Sequence, residues 1–310
     1  MSVSAKMSSL AERINSYDLE QRDAKAVGRA KAAIITAFGQ TLSGAPAAIT
    51  QALLATSGIA ASGGASVVFG TERRTSAVDA ALINATAAVA GSRAAPNAAN
   101  AAFVVALFAL CEERGKTGQE FIVALMAGAE ISHSLPPAGQ LGAAVLGSVA
   151  AAARLLGLSR PKIAAALLMA GNPATGQGGA EALMVGESLR HALLAALLAE
   201  AMDEASCHQM TEGDQRAAGD GPSGAQALDL LAVHSPPAAD LWDQFDQHAG
   251  AVLPRDDIAP LFERLETIEK VKDLATVSRL LQGRGTRAAP KKVIFAPRGM
   301  HEPEETNWVP

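Results

Sequence analysis

Glu130 and His133 stand three residues apart in GQEFIVALMAGAEISHS, and helical spacing puts them on one face. A carboxylate beside an imidazole orients and activates a histidine base, so this pair is the candidate acid–base couple. The same pattern also suits a histidine that caps carbonyls at a helix end beside a structural Glu130. Asn84, Asn97, Asn100, Asn172 and Gln177 are amides set in apolar surroundings. Buried amides must find partners, so they either line a neutral pocket for a carbonyl-bearing ligand or tie turns together. Arg93 sits alone in the small-residue turn GSRAAPN. It is placed either to hold a carboxylate or to sit on the surface. Arg190 and His191 fall on a later helix, where an exposed face is the simpler reading.

Other chemistries are poorly served. GNPATGQGG is glycine-rich, but it lacks the Lys-Ser/Thr ending of a phosphate-binding loop and follows no strand. Cys111 and Cys207 are the two cysteines, with no metal-type Cys/His cluster, so neither zinc nor any other cofactor is expected. Cys111 ends the apolar run FVVALFALC and reads as a buried core thiol. The formal net charge of −5 gives no general grip on nucleic acid. The basic run RGTRAAPKK near the end reads as a solvated tail. The uncharged runs at 41–71 and 134–153 are broken by Gly, Pro, Ser and Gln, so no membrane span is expected. The N-terminus lacks a signal peptide's apolar stretch, and the expected location is the cytoplasm.

The elements that must position these residues are helices. The 310-residue chain is 49% hydrophobic but only 4% aromatic, and alanine supplies much of the apolar content. Alanine favours helix and lets helices approach closely. Helical patterning runs from about Asp18 to a stop near Gly39, and Ser43 is a plausible cap for a second helix. A short extended piece is expected at Ser66–Phe69, and Thr75-Ser76 followed by Asp79 starts the next helix. Helices are then expected over Asn97–Glu113, Gly118–Ser134, Leu141–Leu156, Arg160–Ala170 and Glu187–Ala205. Composition turns polar and Gly-rich near Ser206, so 206–255 reads as a linker with short helices at 225–233 and 238–248. Two amphipathic helices follow within 256–282, closing back on the main domain of residues 1–205, and 283–310 is an extended tail. The expected class is all-α.

The order of these pieces resembles the helical domain of the MmgE/PrpD family, which includes 2-methylcitrate dehydratase, cis-aconitate decarboxylase and iminodisuccinate epimerase. AKAVGRAKAAIITAFGQTLSGA, FGTERRTSAVDAALINATAA, ALCEERGKTGQEFIVALMAGAEI and LGSVAAAARLLGLSRPKIAAALLMAG carry the likeness, and LFERLETIEKVKDLATVSRLLQ resembles the closing helices. The resemblance implies an all-α domain that commonly pairs as a homodimer. It also implies a second α/β domain between the helix ending near 205 and the closing helices. The interval 206–255 is too short and strand-poor for that lid. After the INATAA stretch the family carries a His, an acidic turn and a His-Pro. This chain reads Val89, AGSR and Ala95-Pro96 there. Ala138 stands where the resemblance puts a second catalytic His, no lysine occurs between Lys162 and Lys270, and Tyr17 is the single tyrosine.

Such acid–base groups each contribute roughly a hundred- to ten-thousand-fold to proton transfer, so the family's usual dehydration and decarboxylation are not expected. Two functions remain open. One is a repurposed cyclase, isomerase or lyase of specialised, natural-product metabolism, taking a larger and less charged small-molecule substrate. His133 and Glu130 would be its catalytic residues, and Asn84, Arg93, Asn97, Asn100, Asn172 and Gln177 would bind. The other is a non-catalytic scaffold, or the partner of an active relative.

Overall fold

A computed structural model describes residues 10–17, 24–92, 98–134, 139–171, 180–214, 231 and 238–283. Its centre is α5 (Ala98–Glu113), buried at every position from Ala98 to Glu112. A helix apolar on all sides has to be enclosed by others. Around it pack α2 (Ala24–Gly44), α4 (Ala77–Gly91), α7 (Gly139–Leu156) and α9 (Glu181–Ala201). The paired helices α6 (Gly118–Ser134) with α7, and α8 (Arg160–Ala170) with α9, complete the bundle, while α3 (Ala48–Ala55) lies against α4. A first helical segment, α1, spans 10–15. Among the described residues, strand is confined to β1 (Ser66–Val67) and β2 (Arg74–Thr75), antiparallel with Ser66 opposite Thr75. The class is all-α.

Small residues set how closely the helices approach. A Cβ on Gly44 would lie 1.8 Å from the Ala87 carbonyl oxygen, and one on Gly91 would lie 1.9 Å from that of Gln40. The α2–α4 crossing is therefore a backbone-to-backbone contact that any side chain would prise open. The scarce aromatics are concentrated beside it. Phe38 meets Phe69 and Phe108 edge-on at 4.9 Å between ring centres, and Phe108 meets Phe121 at 5.6 Å.

Local signals explain several boundaries. Ser76 caps α4 by accepting from the Asp79 backbone N–H at 3.3 Å, as the Ser-x-x-Asp spacing predicts. The observed α6 and α8 have the expected bounds. Other expectations fail. Gly39 does not stop the first long helix, which continues to Gly44, because Gly39 is a contact position facing Phe245 and His248. Ser43 accordingly lies inside that helix, and α3 is preceded by Ala47 with no side-chain cap.

The late helix likewise begins at Glu181 and ends at Ala201. The polar stretch after it is not all linker, for α10 spans Glu204–Asp214. Asp203 starts α10 by accepting from the Ser206 backbone N–H and hydroxyl, each at 2.8 Å, and Cys207 is fully buried. α9 is long and apolar enough to cross a membrane by length and composition alone, and half of its most apolar window is buried in the bundle.

Three further elements dock on this core: α11 (Ala238–Ala249), α12 (Arg255–Glu266) and α13 (Ala275–Leu281), with a 3-10 turn at Ile268–Lys270. α11 packs on α2. The Gly118 N–H donates to the Val271 carbonyl at 2.8 Å, the Gly70 N–H to that of Leu281 at 2.9 Å, and Lys31 pairs with Glu269 at 2.8 Å.

Candidate functional site

The connections α4–α5, α6–α7 and α8–α9 hold or border most of the candidate residues, and the flanking helix ends converge. Gly186, in the second turn of α9, abuts Thr86 in the C-terminal half of α4 and Leu82 one turn before it. Gly128, in the C-terminal half of α6, abuts Phe103 near the start of α5 and Gly147 in the first half of α7. The ends of α4 and α6 and the starts of α5, α7 and α9 therefore face one end of the bundle.

Arg93, Asn97, Asn172 and Gln177 lie outside the described residues, as does the His133 side chain, although its backbone belongs to the last turn of α6. The other three candidates are described. Asn84 is buried in α4, where its Oδ1 accepts from the Phe69 N–H at 3.1 Å and its Nδ2 donates to the Val67 carbonyl at 2.9 Å. One amide thus satisfies both polar groups of a short buried extended segment, the turn-tying role an amide can take. Asn100 is buried in the first turn of α5, at the converging end. Glu130 is partly exposed and forms an ion pair with Arg13 of α1 at 3.2 Å.

Arg190 reaches Asp79 at 3.7 Å and Glu187 at 3.5 Å. Asp79 also accepts from Ser62 at 3.1 Å. His191 Nε2 lies 2.9 Å from the Met169 carbonyl oxygen, joining α9 to the end of α8. Burial pushes the Cys111 thiol well above its usual range, which keeps it protonated and unreactive.

Sequence reading missed Glu112. In the charged turn CEERGKTG its side chain faces inward from the end of α5, opposite the converging end. It accepts from the Val67 N–H at 3.1 Å, from Arg74 at 3.4 Å and from the Ser278 hydroxyl. Burial raises its pKa to about 7, against the lowering effect of those hydrogen bonds and of Arg74. Glu113 next to it accepts from the Ala77 N–H at 2.5 Å, at the positive end of the α4 dipole. The adjacent acids are the available signal, but which of them is buried depends on residues far away in the chain. Among the described residues no group of three or more His, Cys, Asp or Glu is placed to hold a metal.

A family model, the MmgE/PrpD N-terminal domain, matches residues 8–219. The chain belongs to the MmgE/PrpD family. The match runs from just before α1 to just past α10, so it includes every helix end that converges on the candidate site. No curated protein matches the chain. Within this MmgE/PrpD scaffold, α4 carries Val89 near its end as a buried core residue.

Proposed function

We propose that this MmgE/PrpD member does not run the proton-transfer chemistry of the enzymes it resembles. It holds a larger, less charged small molecule at the converging helix ends and promotes a cyclisation, isomerisation or lyase-type step mainly by positioning. One observation carries this reading. The three connections at that end, RAAPN at 93–97, LPPA at 135–138 and NPATGQGG at 172–179, contain amides, a threonine and one arginine, but no carboxylate, lysine or histidine. Such a composition suits a carbonyl-rich neutral ligand better than a tricarboxylate. The interval 215–237 between α10 and α11 is far too short for a lid domain, which supports an open site able to take a bulkier substrate.

A second reading, a non-catalytic partner of an active relative, is favoured by Asn84 and Glu130. Both are engaged in packing contacts, with the strand segment and with Arg13, as in a scaffold kept for its surface. A homodimer through this domain is part of the proposal. Its structural support is the pair Leu194 and Leu198, one turn apart on α9 and 39% and 46% exposed.

Native mass spectrometry of the protein incubated with extract of its source cells separates the readings. A retained small molecule, released by denaturation, supports the enzyme. A retained MmgE/PrpD relative with no small molecule supports the partner and contradicts the enzyme.

A further inference from the structure

A cavity of about 490 Å³ lies between the start of α6 and the end of α7, at the opposite ends of these helices from the site above. That is within the roughly 300–1,000 Å³ typical of small-molecule pockets. Val123, Ala124, Leu155 and Leu156 give it an apolar wall, and Lys116, Arg154, Gln119 and Glu120 give it a polar edge.

The charges at that edge are unevenly satisfied. Glu120 is internally held, accepting from the Thr117 N–H at 2.8 Å, the Thr117 hydroxyl at 2.9 Å and Lys116 at 3.1 Å. Partial burial raises its pKa, but these hydrogen bonds outweigh that and keep the carboxyl below its ordinary range, hence ionised. Arg154 donates one Nη to the Tyr17 carbonyl at 3.3 Å, while its enclosed Nε has no acceptor among the described residues. That Nε is closed off by protein, so a ligand in the cavity meets only the rest of the Arg154 guanidinium, whose charge favours a carboxylate. Two cations against one committed carboxylate leave a single positive charge, which matches a monoanion. The cavity exceeds what a carboxylate alone fills, and its remaining wall is aliphatic.

We propose that this cavity binds a monoanionic amphipathic acid, a medium-chain carboxylate, with its head on Arg154 and Lys116 and its chain along Val123, Ala124, Leu155 and Leu156. The site is separate from the candidate active site and stands or falls independently of it.

Tyr17 lines the cavity and is the single tyrosine, so protein labelled with 3-fluorotyrosine carries one fluorine, located at the site. Fluorine NMR titrations with octanoate, octanamide and citrate test the proposal. Octanoate is expected to shift the resonance saturably, with octanamide at least about tenfold weaker, as loss of a charge-assisted contact implies, and citrate ineffective. Arg154→Met is expected to weaken octanoate by about the same factor. Lys116→Met, at the other cation of that edge, is expected to weaken it as well, and it serves if the arginine variant misfolds. No saturable shift with octanoate overturns the proposal. So does octanamide or citrate binding as tightly, or octanoate affinity unchanged in a folded variant.

Discussion

Glu112 is the residue whose chemistry most clearly belongs to this fold. Its neighbour Ser278 has one hydroxyl proton but two acceptors, Glu112 and the Leu274 carbonyl at 3.0 Å. Burial in the folded state raises the Glu112 pKa from 4.5 to about 7, against the lowering effect of the Ser278 hydrogen bond. Its contribution is fully present below the unfolded value and is lost as pH rises through about 7, on the order of 3 kcal/mol in all. Urea unfolding at pH 5 and pH 8 is therefore expected to show a loss at the higher pH that is smaller by about that amount in Glu112→Gln. Asn84 makes a second prediction. Asn84→Ala strands the Phe69 N–H and the Val67 carbonyl in the core and is expected to cost about 2–4 kcal/mol by urea denaturation. Neither role is legible in the sequence. That Asn84 is a buried amide can be read there, but its partners at 67 and 69 are set by where β1 lands on α4.

Among the elements, helices were legible wherever a local cap or spacing decides them. Ser76 to Asp79 marks a helix start, and Pro161 just inside α8 marks another. Misreadings arose where a tertiary contact decides. Gly39 looks like a stop signal because glycine ends many helices, yet it is a position where α2 packs closely against Phe245 and His248 of α11. Residues 206–214 look like linker because their polarity hides the buried Cys207. The glycine argument is testable within a single helix. Gly44→Ala would push its Cβ into the Ala87 carbonyl and is expected to cost about 2–3 kcal/mol. Gly28→Ala, with open space around it in the same helix, is expected to gain about 0.5–1 kcal/mol. Thermal unfolding of the two variants should move in opposite directions.

For the whole molecule, the all-α class and the family were legible because both follow from the order of many weak signals along 8–219. Function was less so, because the fold serves several chemistries and the deciding residues are few. We propose that this MmgE/PrpD scaffold operates without its relatives' acid–base groups. The most direct test is solvent-deuterium exchange by NMR, with purified protein and either 2-methylcitrate or cis-aconitate in heavy water. Exchange reports proton abstraction even when no product accumulates. The account predicts no deuterium incorporation above the protein-free rate and no product from either acid. Incorporation or turnover faster than that background would contradict it.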